Sequence, residues 1–133
     1  MPELVRALVG NLYFLTLSRI VLTTLFWSAG LFGLFNFRAI VGEMASVSLP
    51  SPVFFAAATI CVQLAGSVLV ITNWRHCGWV GAGALGVFTL LTIPYGHAFW
   101  TRPEPRRTEE FHLVLEHVTV VGGLLLAAVL SAR

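Results

Sequence analysis

Lysine and aspartate are absent from this sequence of 133 residues, and charged residues of any kind make up only 11% of it. Because a soluble domain of this size carries about a quarter charged residues, the composition excludes an ordinary soluble globular protein. The eight basic residues, all arginines, and six glutamates leave a net charge of +2 with no basic stripe, which excludes a nucleic-acid-binding surface. Apolar residues fill the chain instead: 57% are hydrophobic, and the mean hydropathy is +0.86.

Two further absences concern cysteine and processing signals. The only cysteines, Cys61 and Cys77, form no C-x-x-C pair, so the sequence gives no support to a thiol–disulfide relay. We interpret Cys61 as a small buried hydrophobe and Cys77 as an incidental loop thiol. The first apolar stretch is longer than the core of a signal peptide and lacks an A-x-A-like cleavage site, so we expect it to remain as a membrane anchor.

Four apolar segments are long enough to cross a bilayer, which takes roughly 20 residues. We predict spans at about residues 12–35, 53–72, 78–100 and 111–130. Lipid offers no hydrogen-bond partners to the backbone, so only helices or closed barrels can cross it, and uninterrupted runs of this length are helical. The sequence therefore predicts an all-α integral membrane four-helix bundle, with residues 1–133 as a single transmembrane domain.

The connections between these spans contain the polar residues and the helix-ending signals. Residues 36–52 include AIVGEMASV, which predicts a short interfacial helix with Glu43 at the water. Residues 101–110 are hydrophilic, and Thr108 with its two following glutamates predicts the N-cap of the fourth helix. Pro94 is expected to kink the third span. The arginines divide four against four between the two sides, so they do not determine the orientation.

Each span carries small, hydroxyl or polar residues on one face at helical spacing. The four stripes are Arg19, Thr23, Phe26 and Gly30; Ala56, Thr59, Gln63 and Gly66; Gly78, Ala82, Leu85, Thr89, Thr92 and Gly96; and His112, Glu116, Thr119, Gly123 and Ala127. Faces of this kind let membrane helices approach closely. They predict either a packed seam or a cavity lined by the same faces.

Ionisable groups in the apolar segments are the candidate functional residues. Glu116 lies about 6 Å deeper along its helix than His112, where an ionised carboxylate is costly unless it is paired. Intramembrane ionisable residues mark functional sites by default. We predict a ligand- or proton-binding site at His97, His112 and Glu116, with Gln63 as a further candidate, and a purely structural polar cluster as the alternative. Arg19 is expected to snorkel to the headgroups, with a buried partner as its alternative.

Metal-binding patterns are weak. Glu109 and His112 form an E-x-x-H, a spacing used twice in di-iron bundles, but the second and third spans contain no acid to complete such a site. A bis-histidine haem is equally unsupported, because His112 and His117 diverge on one helix while His76 and His97 lie at opposite ends. We therefore predict no metal site, and we assign no catalytic residue.

The order of features resembles the DoxX family of small four-span bacterial membrane proteins. The matching pieces are Arg19, then FWSAGLFGLF, MASVSLPSP, QLAGSVLVI, NWR and VVGGLLLA, which together cover about residues 17–130. Two positions depart from the family: Gly33 stands where a Lys is common, and Gln63 where a Glu is favoured. The resemblance implies a multi-pass protein of the bacterial inner membrane that is linked to membrane oxidoreductases.

Two functional hypotheses follow. In the first, the chain is a membrane subunit or scaffold associated with a redox system, which anchors a membrane or soluble oxidoreductase partner. In the second, it is a quinone-interacting component in which His112 or His97 hydrogen-bonds the ring and Glu116 handles the proton. Small-molecule transport is less favoured, because four spans with one interior acid form a poor pathway unless the chain is a homo-oligomer.

Overall fold

Helices account for all the regular structure in the computed structural model, which describes residues 1–133 and contains no strand. The α-helices are α1 Glu3–Val9, α2 Leu12–Leu22, α3 Thr24–Phe35, α4 Phe37–Ser46, α5 Pro52–Thr72, α6 Gly78–Gly96 and α7 Arg106–Ser131. Two short 3-10 turns, Trp74–His76 and Phe99–Thr101, follow α5 and α6. The predicted all-α class is therefore confirmed.

Three helices are long and apolar enough to cross a membrane: α5, α6 with its 3-10 extension, and α7. They coincide with the predicted second, third and fourth spans. The count rises to as many as five if the bent pairs α1–α2 (62°) and α3–α4 (108°) are each one span. Large apolar side chains such as Phe54, Leu90 and Leu126 are exposed on the three long helices, as expected of surfaces that face lipid. The protein is thus a multi-pass membrane protein.

The predicted first span, 12–35, is divided between α2 and α3 at Thr23. The Thr23 hydroxyl donates to the carbonyl oxygen of Arg19 at 2.8 Å and to that of Ile20 at 3.3 Å. Back-bonding of this kind competes with the helical ladder and bends helices. The Trp27 indole also donates to the Ile20 oxygen at 3.2 Å, so the carbonyl at the break is satisfied by side chains.

Most of the buried residues belong to the four predicted stripes. All four residues of the first stripe are buried, and in the third stripe Gly78, Ala82, Leu85 and Thr89 are buried as well. In the fourth stripe only the C-terminal half turns inward, because Ala127 is buried while Glu116 is exposed. The largest core cluster joins α3, α5, α6 and α7 through Phe26, Val70, Ala82, Leu85, Leu124 and Ala127.

The packed seam lies where α5 crosses α6. A Cβ atom added at Gly81 would stand 2.6 Å from the carbonyl oxygen of Gly66 and 2.7 Å from Cβ of Leu69. A Cβ at Gly66 would stand 2.7 Å from Cγ of Leu85. The two backbones are therefore in direct contact, which only glycine permits.

The predicted short helix after the first span is confirmed as α4, which turns 108° from α3. The turn is made at Asn36, whose side-chain amide donates to the carbonyl oxygen of Phe32 at 3.0 Å. Ile40 then packs on Ala56 and Ile60 of α5. These contacts fold α4 back across α3 and α5.

Arg19 does not snorkel outward. Only 6% of the residue is exposed, and its Nη2 donates to the Ser131 hydroxyl at 3.3 Å. Asn73 donates to the Ser131 carbonyl oxygen at 3.5 Å and accepts from the Gly78 backbone N–H at 2.9 Å. No carboxylate pairs with the guanidinium. The charge instead lies near the C-terminal ends of α5 and α7, whose carbonyl dipoles favour a cation.

Two local predictions are wrong. Thr108 is not the N-cap of α7, which begins two residues earlier at Arg106; its hydroxyl instead donates to Glu104 Oε2 at 2.7 Å. Cys61 is exposed, because Ile60 is the residue that faces the core and the next residue is turned by about 100°.

Candidate functional site

An imidazole–carboxylate pair joins the end of α6 to the start of α7. His97 caps α6 through its backbone N–H, which donates to the Ile93 carbonyl oxygen at 2.9 Å. Its Nδ1 lies 2.8 Å from Oε2 of Glu110, with 25% and 12% of the two side chains exposed. Because an ionised carboxylate can only accept, His97 donates at Nδ1. Nε of Arg106 lies 3.7 Å from the other oxygen of Glu110.

The environment of Glu110 favours its ionised form. Glu110 ends the polar connection 101–110, one residue before the apolar segment 111–130. The hydrogen bond from His97 is the main cause that lowers the pKa of the Glu110 carboxyl. Partial burial opposes the shift, while the charges of His97, Arg106 and Arg102 support it. Glu110 is therefore held in its ionised form, as the hydrogen-bond acceptor of His97.

A second imidazole completes the cluster. The ring of His117 lies 4.7 Å from that of His97, centroid to centroid, at an interplanar angle of 60°. Its Nδ1 donates to the carbonyl oxygen of Leu113 at 2.7 Å, which leaves Nε2 of the neutral ring as an acceptor. We define the His97 cluster as His97, Glu110 and His117. It combines two imidazoles with one carboxylate, a set of groups suited to holding and exchanging a proton.

Aromatic contacts fix the connection that carries this cluster. Phe99 packs edge-on against Phe111 and Trp100, with centroid distances of 5.2 Å and 5.3 Å. Nε of Arg107 donates to the carbonyl oxygen of Arg102 at 2.9 Å. The polar residues after α6 are thus held in one arrangement against the first turns of α7.

Of the residues predicted for the site, the structure brings only His97 into this cluster. Glu110 and His117 are seven positions apart on α7 and share a face. At about 100° per residue, His112 and Glu116 are turned about 200° and 240° away from Glu110. Both are exposed, and neither forms an ion pair. The role of His112 and Glu116 in a site stays a prediction.

Sequence reasoning missed Glu110 and His117. A signal was present in the seven-residue spacing that places both on one face of α7. It was obscured because Glu110 stands beside Glu109 in an acid-rich connection. The choice of Glu110 as the partner depends on how the chain turns between α6 and α7.

Gln63 lies in a separate place, on the wall of a cavity of about 340 Å³ between α3, α4 and α5. The cavity is lined by Leu25, Ser28, Ala29, Phe32, Ile40, Glu43, Thr59 and Gln63. Of the two predicted alternatives, the packed seam is present at α5–α6. The cavity is a different one from that predicted, because only Thr59 and Gln63 of the four stripes line it. No three His, Cys or Glu side chains stand close enough together to hold a metal ion.

Comparison with known families gives one match. Residues 14–98 match the family model described as DoxX. The matched segment runs from α2 through α6 and includes His97, Gln63 and the 340 Å³ cavity, and it ends before α7. No curated protein and no solved structure shows significant similarity to the chain.

Proposed function

The chain belongs to the DoxX family, and on this premise we propose that it is the integral membrane subunit, or scaffold, of a redox assembly in the bacterial inner membrane. Its helices supply the membrane anchor, since three of them are long and apolar enough to cross. The partner is an oxidoreductase component, either soluble or itself in the membrane. Family resemblance is the only support for the link to redox chemistry, because a fold does not determine a function.

The observation that carries this proposal is the ordered, charged connection between α6 and α7. Within residues 101–110 it places five charged side chains at the surface: Arg102, Glu104, Arg106, Arg107 and Glu109. Phe99 and its aromatic neighbours hold the backbone in place beforehand, so a partner does not have to order it on binding. Complementary charge on a partner would then orient the encounter.

Affinity capture with a charge reversal tests this proposal. The tagged chain is purified from its native membranes in mild detergent, and co-purifying proteins are quantified by mass spectrometry. Arg102→Glu reverses an exposed charge in the connection, so we expect it to reduce the captured oxidoreductase at least about tenfold, equivalent to 1.4 kcal/mol. Arg6→Glu is the matched control, because Arg6 is equally exposed but lies on α1; it should capture as much as the unmodified chain.

Two results of that experiment would contradict the scaffold role. One is a chain that purifies without any oxidoreductase component. The other is an Arg102→Glu variant that retains its partner as well as Arg6→Glu does.

The paired imidazoles favour a quinone-interacting role as the second candidate. The Nδ1 atoms of His97 and His117 already donate to Glu110 and to the Leu113 carbonyl oxygen, so the Nε2 atom of each ring is left as an acceptor beside Glu110. Glu110 would take the proton-handling role predicted for Glu116. A lipid extract of the purified chain, scanned for quinone absorbance, distinguishes the two roles. Quinone retained by His112→Ala but lost from a folded His97→Ala variant would favour the quinone role over the scaffold role.

A further inference from the structure

The cavity between α3, α4 and α5, which we call the α4 cavity, is independent of the His97 cluster and shares no residue with it. It exists because α4 turns back by 108° and is fixed on α5 by Ile40. Its volume of about 340 Å³ falls in the range of pockets that hold small organic ligands. The mouth is open, so a ligand can enter without a change in the fold.

The α4 cavity carries negative charge only. Glu43 is the only ionisable residue in its lining, and its carboxylate forms no ion pair with any arginine of the chain. Glu43 is exposed, so its carboxylate is accessible to a ligand that enters the cavity. A bound cation would supply the missing partner, while an anion would meet repulsion and no basic group.

The neutral polar groups of the cavity are suited to accepting hydrogen bonds. The hydroxyl of Ser28 already donates to the Thr24 carbonyl oxygen at 2.6 Å, so only its lone pairs remain available. Thr59 and Gln63 add a hydroxyl and a carboxamide on the α5 side, each of which can accept as well as donate. These acceptors would bind the donor groups of a polar ligand.

The remaining wall is apolar and includes an aromatic ring. Leu25, Ala29 and Ile40 can contact alkyl groups, and Phe32 contributes its ring. The face of an aromatic ring attracts cations, most strongly where water is excluded. A lining that combines one carboxylate, an aromatic ring and alkyl side chains is suited to an organic cation rather than to a hydrated metal ion.

We infer that the α4 cavity binds a small organic ammonium ion, whose charge lies at Glu43 and whose alkyl groups lie against Leu25, Ile40 and Phe32. Such an ammonium comes from one of two sources: a free amine in solution or the headgroup of a zwitterionic phospholipid. The inference does not depend on the redox role, because the cavity and the α6–α7 connection lie in different parts of the bundle.

Calorimetric titration of the full chain in a maltoside detergent tests the inference. The probe is choline, and its matched control is 3,3-dimethylbutanol, an uncharged molecule of almost the same shape. We expect choline to bind with one-to-one stoichiometry and at least about tenfold more tightly than the alcohol. A further titration with dihexanoyl phosphatidylcholine separates the sources. If choline binds and the phospholipid does not, the ligand is a free amine; if choline and the phospholipid both bind, the ligand is a lipid headgroup.

A pair of variants locates the site. Glu43→Gln removes the charge and keeps the shape, and it should weaken choline binding at least about tenfold. Glu3→Gln removes an exposed carboxylate on α1, outside the cavity, and should bind choline as the unmodified chain does. Equal affinity for choline and the alcohol would overturn the inference without any variant. A folded Glu43→Gln protein that binds choline within about twofold of the unmodified chain would overturn it as well.

Discussion

Gly81→Ala is expected to destabilise the protein by about 2–3 kcal/mol, the range of a severe overpacking substitution. The added Cβ would stand 2.6 Å from the carbonyl oxygen of Gly66 and 2.7 Å from Cβ of Leu69. Neither atom can be moved aside by a change of rotamer, because one belongs to the backbone and the other is attached to it. The substitution must therefore push α5 and α6 apart, and the contacts around Val70 and Leu85 would loosen with them.

The matched control is Gly83→Ala, the same substitution two residues further along α6. A Cβ at Gly83 meets nothing within 4 Å, so the better helix propensity of alanine should leave this variant unchanged or up to about 1 kcal/mol more stable. Thermal unfolding in detergent, followed by circular dichroism, measures both. Equal midpoints for the two variants would contradict the close crossing of α5 and α6.

Arg19→Glu is expected to have an even larger effect, a loss on the order of 4 kcal/mol. Arg19 is 6% exposed, and its guanidinium donates to the Ser131 hydroxyl at the C-terminal ends of α5 and α7. A carboxylate there would lose this hydrogen bond and place a negative charge beside carbonyl oxygens that already carry partial negative charge. The chain has no lysine that could neutralise the new carboxylate, and every other arginine lies at an exposed position.

Arg6→Glu makes the same change of charge on an exposed residue of α1. It should unfold within about 0.5 kcal/mol of the unmodified chain, as surface substitutions do. Stability is measured as the midpoint of unfolding by a denaturing detergent and as the yield of folded protein for each variant. An Arg19→Glu protein as stable as Arg6→Glu would show that the guanidinium lies in water and not inside the bundle.

Much of the fold could be predicted because burial in a helical membrane protein follows local periodicity. The spacing of Thr23, Phe26 and Gly30 identified the buried face of the first span, and each of the three is buried. The spacing from Gly78 to Thr89 did the same for α6. Such stripes can be read from sequence because residue size and the helical repeat alone determine which side permits close approach.

The features that sequence reasoning missed depend on how helices turn relative to one another. The carboxylate of Glu43 reaches a cavity only because α4 turns 108° at Asn36, and no local pattern specifies that angle. Arg19 is buried because Ser131, more than a hundred residues later, stands beside it. The pairing of His97 with Glu110, rather than with His112 or Glu116, depends on the path of the chain between α6 and α7.

The central claim is that the bilayer surrounds these helices and that α6 crosses it. Its most direct test is the labelling of two cysteines by a membrane-impermeant maleimide. In a Cys61→Ala background, one probe is Cys77, just before α6. The other is Glu104→Cys, in the α6–α7 connection, studied with Cys77 replaced by alanine. We predict that one is labelled only in right-side-out vesicles and the other only in inverted ones. Labelling of both from the same side would contradict the account, because α6 could not then span the membrane.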